Sequence, residues 1–117
     1  MNQDVVAAKK ILDTDYTCVV CYKGVVLTSK KECNEAVFDF LKSKFDFSMY
    51  AIAVSNLDFI GANLIIELGI KNVFSYKVSD KALELLNNNN ITSYHNEIIN
   101  PLDESLDYEK YIKDRFN

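Results

Sequence analysis

The sequence predicts an α/β domain with three layers, α-β-α, around a mixed five-stranded sheet. Two observations carry this. Apolar or β-branched runs alternate with segments of helical period in the order α-β-β-α-β-α-β-α-β-α. The run from Met49 to Val54 is almost unbroken in apolar character, as in a strand covered on both faces. The strand–helix–strand units after residue 49 must be right-handed crossovers, so three parallel strands follow an antiparallel N-terminal hairpin. With 117 residues the chain has room for one domain and one core, 1–117.

The elements follow in order. Asp4 to Leu12 places Val5, Ala8 and Leu12 on one helical face. Tyr16 to Tyr22 is aromatic, β-branched and thiol-rich, which suits a strand; Lys23-Gly24 turns the chain and Val25 to Thr28 returns as a hairpin. Ser29 and Glu32 have capping-box spacing, and Cys33, Val37, Phe40 and Leu41 recur at helical period to about Lys44. After the mid-chain strand, Ser55 and Asn56 are expected to cap a helix from Leu57 to Leu68, stopped at Gly69 in the left-handed conformation. Asn72 to Val78 is the next strand. Ser79 caps a helix whose inner face is Ala82, Leu83 and Leu86, with Asp80 at its positive end. Asn87 to Asn90 suits a helix exit. Ile91 to Tyr94 is a short last strand, His95 to Asp103 a loop around Pro101, and Glu104 to Phe116 a polar helix docked by Leu106, Tyr108 and Tyr111.

Composition narrows the function. Hydrophobic residues are 49% of the chain, with Phe and Tyr seven each, which excludes a disordered chain. The net charge of −4 leaves no cationic footprint for nucleic acid. No run is long enough to span a bilayer, and the N-terminus lacks a secretory pattern, so no membrane and a cytoplasmic location are expected. Three cysteines, in that setting, are expected as thiols.

The motifs argue mostly by exclusion. Cys18-Val-Val-Cys21 lies within a strand, where positions three apart point to opposite faces, so its sulfurs diverge and no metal is expected. His95-Asn-Glu97 matches half of a zinc-deaminase signature, yet no cysteine follows Glu97 to complete the metal site. Neither a G-x-G-x-x-G nor a P-loop is present, and no cofactor is expected. A zinc-dependent deaminase is thus excluded, and catalysis of another kind, with Asp58 or His95 as general base, stays open.

In an open parallel sheet, ligands bind beyond the carboxyl ends of the strands. The expected cleft there is lined by Ser55, Asn56, Asp58 and Asn63 together with Ser79, Asp80, His95, Glu97 and Asn100. Two of these segments are helix N-termini, which favour an anion or a carbonyl oxygen. Asp58 and Asp80 oppose a bare phosphate. The candidate occupant is a small molecule, and the alternative is a catalytically inert module that forms a homo-oligomer, at simplest a homodimer, through its aromatic surface.

From AAKKILDTDYTCVVCYKGVVLTSK through GANLIIELGIKNVFSYKVSDKALELLNNNNI to Glu109, the chain resembles the domain of unknown function eighteen ninety-three family. The opening helix and serine-ended hairpin match over Ala8 to Ser29, and the pattern before the later helix matches over Val78 to Leu83. The polar signature that the family carries entering its third helix is replaced over Asn56 to Leu64, with Gly61 kept; near the end Asn100 and Glu109 remain. The resemblance implies a cytidine-deaminase-like fold in a divergent member. It also suggests a nucleotide- or nucleoside-like ligand.

Overall fold

A computed structural model describes residues 1–116. The elements are α1 (Gln3–Leu12), β1 (Cys18–Tyr22), β2 (Val25–Ser29), α2 (Cys33–Lys42), β3 (Ala51–Leu57), α3 (Phe59–Leu68), β4 (Asn72–Ser79), α4 (Asp80–Asn88), β5 (Thr92–Ile99) and α5 (Tyr108–Phe116). The sheet order is β2-β1-β3-β4-β5. β1 pairs antiparallel with β2 and β3, while β3–β4 and β4–β5 pair in parallel. This is an α/β fold with a five-stranded mixed sheet and five helices.

The hairpin turn needs two successive residues with positive φ, and Lys23 (47°) and Gly24 (84°) supply them. Such a turn carries the right-handed twist of the flanking strands. Strand order 3-4-5 with crossovers of one hand puts α3 and α4 on the same face. The larger core forms there: Val20, Ile52 and Val54 of the sheet meet Ala36 and Val37 of α2, Leu64 and Ile65 of α3, and Leu86 of α4. On the other face α1 lays Val5, Ala8 and Leu12 against Val19, Ala51, Ala53 and Phe74. Cys18 belongs to the larger cluster and Cys21 to the smaller, so the two thiols do point apart. All three cysteines are buried and free.

Several boundaries differ from the sequence expectation. Ser55 and Asn56 do not cap α3, because β3 continues through them to Leu57, and Asp58 is the cap. The β3–β4 register runs to Val54 opposite Ser75 and resumes at Asn56 opposite Lys77. The β4–β5 register likewise passes from Ser75–His95 to Lys77–Glu97. Val54 and Leu57, three positions apart, both reach the larger core, so the alternation of faces along β3 breaks between them. A polar pair that interrupts the hydrophobic pattern therefore lies inside this strand and does not end it.

Glu32, not Ser29, caps α2; its carboxylate accepts from the amides of Asn34 and Glu35, and Ser29 ends β2. β5 runs to Ile99, so His95 and Glu97 are strand residues and not loop. Its outer half is exposed, and backbone pairing with β4 alone defines it. Leu106 is exposed and lies before α5, whereas Tyr108 and Tyr111 pack against the larger core. Gly69 does end α3 with φ 78°. No helix among the described residues is long and apolar enough to cross a membrane.

Candidate functional site

The carboxyl rim of β3 and β4 is where three helix N-termini meet. Each first turn has amide N–H groups without an intrahelical acceptor, so each needs an oxygen from elsewhere. At α3, the Asp58 carboxylate accepts from the Gly61 amide at 2.8 Å. The same carboxylate takes the Asn34 side-chain amide, 3.1 Å to either oxygen, from the first turn of α2. α2 and α3 approach so closely here that a Cβ on Gly61 would lie 2.7 Å from Asn34 Oδ1 and 2.9 Å from Leu57 Cδ1. A side chain at Gly61 would therefore have to push the Asn34 amide and the Leu57 methyl aside.

The Phe59 amide, next along α3, donates to Glu104 Oε2 at 2.6 Å. The Ser79 hydroxyl donates to the same oxygen at 2.5 Å. Ser79 also accepts from the Ala82 amide at 3.0 Å, which makes it the cap of α4. It is fully buried. One carboxylate from the connection after β5 thus ties the starts of α3 and α4 together.

On the hairpin side, Ser55 Oγ lies 3.2 Å from Cys33 Sγ, and the thiol also reaches the Thr17 carbonyl at 3.4 Å. Burial, with a smaller contribution from Cys33, pushes the Cys18 thiol well above its ordinary value. Cys18 is therefore a protonated core thiol, poorly suited to attack or metal binding.

These contacts fall into three groups along the rim: Ser55 with Cys33, Asp58 with Asn34 and Gly61, and Glu104 with the Phe59 amide and Ser79. Of the residues expected in the cleft, Ser55, Asp58 and Ser79 belong to them. Asn56 is exposed at the end of β3. Asn63 turns back to its own helix and donates to the Phe59 carbonyl at 3.0 Å. Asp80, next to Ser79, accepts from the Lys81 amide at 2.9 Å. His95, Glu97 and Asn100 are exposed along and after β5, outside these groups. Sequence reasoning missed Cys33, Asn34 and Glu104. Nothing local distinguishes Glu104 in a polar tail, because its partners are far away in sequence.

Among the described residues no group of three His, Cys, Asp or Glu side chains is placed to hold a metal ion. Two open cavities lie along α5. One, of about 380 Å³, is lined by Glu67, Tyr108, Glu109, Ile112 and Lys113; the other, of about 170 Å³, includes Lys110, Tyr111 and Arg115. Neither is lined by Ser55, Asp58 or Ser79. The Tyr108 and Tyr111 hydroxyls are buried and make no hydrogen bond. Burial is the main cause that pushes both phenols up, and at Tyr108 the Glu67 carboxylate adds to it.

No curated protein matches the chain. Its fold is similar to that in the crystal structure of a DUF1893 family protein from Thermotoga maritima, with a TM-score of 0.79 and 17% sequence identity. The match covers 97% of this chain and 82% of that one, and at this identity the likeness is one of fold alone. The family model described as Domain of unknown function (DUF1893) matches residues 6–105. The chain belongs to the DUF1893 family.

Proposed function

We propose that this chain is a small-molecule-binding domain with a cytidine-deaminase-like fold, without zinc ligands, whose seat is the rim between α3 and α4. The observation that carries the reading is the pair of donors, the Phe59 amide and the Ser79 hydroxyl, converging on one acceptor oxygen. A carbonyl or hydroxyl oxygen of a nucleoside-like ligand matches that pair. Asp58 and Asp80 flank the donors and disfavour a bare phosphate, so a nucleoside suits the rim better than its phosphorylated forms. The three free thiols accord with a cytoplasmic setting.

A thermal-shift screen against nucleosides and nucleotides tests this. A ligand at a hundred times its Kd adds about 2.7 kcal/mol, a shift easily measured. No shift with any member of the panel overturns the reading.

A second reading, an inert module that works as a homodimer, is favoured by the exposed Ile98 on the edge strand and by Leu102 and Leu106 after it. Light scattering on the purified chain decides it. A dimer mass that falls to a monomer in Ile98→Lys supports self-association through this edge, and a monomer throughout excludes it.

A further inference from the structure

We infer that the cleft between α3 and α5 is a binding site for a small cationic amine with an apolar body, and that Glu67 and the Tyr108 hydroxyl are the partners of its nitrogen. The cavity measures about 380 Å³ and is lined by Glu67, Tyr108, Glu109, Ile112 and Lys113. Ligand clefts begin at about 300 Å³, so the occupant is small. The cleft shares no lining residue with the rim, and the inference stands apart from the rim reading.

The Tyr108 hydroxyl is the group that points to a ligand. It is buried and has no hydrogen-bond partner among the described residues. Native proteins leave few hydroxyls in that state, because the bonds to water are lost and nothing replaces them. Burial, and to a lesser extent the Glu67 carboxylate, hold the phenol above its ordinary range, so it stays a neutral hydroxyl. Glu67 is near enough to act on the phenol and yet makes no hydrogen bond to it. Should the phenol turn its proton to that carboxylate, its own oxygen and the rest of the carboxylate still lack donors. An ammonium group carries several N–H donors and serves both.

Charge selects the same class. Glu67, Glu109 and Lys113 make no ion pair among the described residues. The lining therefore presents two carboxylates against one ammonium, which favours a cation over an anion. Tyr108 and Ile112, one turn apart on α5, give the apolar wall for the body of the ligand. The face of a tyrosine ring also attracts a cation directly. Glu67 is exposed, so its side chain is free to change rotamer and admit the nitrogen beside the phenol.

The test uses the full chain near neutral pH with phenethylamine as the probe. Phenethyl alcohol and phenylacetate, at matched ionic strength, are its neutral and anionic counterparts. Backbone amide resonances and the thermal midpoint are followed during each titration. The expected result is a saturable shift of Glu67, Tyr108, Ile112 and Lys113 with phenethylamine, together with a raised midpoint. Phenethyl alcohol on the wild-type chain, and phenethylamine on Glu67→Gln or Tyr108→Phe, each lack one charge-assisted hydrogen bond and are expected to bind at least about tenfold more weakly. Phenylacetate is expected to give no saturable shift. Glu67 is exposed, so Glu67→Gln keeps the fold and decides the matter should Tyr108→Phe fail to fold. No saturable shift with phenethylamine, equal binding of the three compounds, or undiminished binding by Glu67→Gln overturns the inference. Shifts at Phe59 and Ser79 in place of the α5 residues overturn it too. The amine is read on amides of α5 and a nucleoside on those of the rim, so either reading fails without the other.

Discussion

Gly61 and Ser79 show what single side chains do at this rim. Adding one methyl at Gly61 drives a Cβ into Asn34 and Leu57. Overpacking of this kind costs about 1–3 kcal/mol, so Gly61→Ala is expected to lower the urea midpoint with an unchanged slope. Ser79→Ala removes both the cap of α4 and one of the two donors to Glu104. Loss of a cap alone costs about 0.5–2 kcal/mol. Because Ser79 and Glu104 share a bond, the double variant Ser79→Ala, Glu104→Ala is expected to lose less than the sum of the single losses; a coupling of about 0.5–3 kcal/mol is usual for such pairs. Additive losses in denaturant melts would separate the two residues energetically. Ser79 was legible as a cap because a helical pattern follows it at once. Asp58 was not, since Ser55 and Asn56 precede it and are equally good caps. Their true role depends on pairing with β4, which is invisible in local sequence.

At the scale of elements, the sequence revealed what is buried and missed what is paired. β3 and α3 were readable because their apolar residues are continuous. The second half of β5 was not, because exposed His95, Asn96 and Glu97 carry no hydrophobic period and only hydrogen bonds to β4 keep them in the sheet. α5 docks by Tyr108 and Tyr111, whose phenols are held protonated mainly by burial. The unfolded phenols ionise near pH 10 while the native ones do not. The unfolded chain then binds fewer protons, and stability falls as pH rises. Their contribution is fully present below about pH 10 and is lost above it. Denaturant midpoints measured from pH 8 to pH 12 are expected to fall first as the unfolded Cys18 thiol ionises at about pH 8.5 and then more steeply above about pH 10, with that second limb shallower in Tyr108→Phe. An unchanged alkaline limb in that variant would show that the phenol does not contribute.

Across the whole molecule, the crossovers determine how the layers fill. Helices α2 to α5 contribute to the larger core, and α1 alone lies on the opposite face. All three thiols end up buried on one side or the other. They are expected to resist a thiol reagent in the native chain and to react together once denaturant opens it; a thiol labelled at its unfolded rate in native buffer would contradict that packing. The five-stranded mixed sheet and its five helices followed from the order of elements; the strand order within the sheet came only with the structure. The rim did not follow. Its centre, Glu104, arrives from beyond the last strand, and no spacing rule connects it to Phe59 or Ser79.

The account depends most on the rim as a ligand seat, and an amide-resolved titration of the wild-type chain with cytidine, uridine and adenosine tests it most directly. Saturable shifts confined to Phe59, Gly61, Ser79, Ala82 and Glu104 are the predicted result. Shifts confined to Glu67, Tyr108 and Lys113 along α5, or no saturable shift at all, would contradict it.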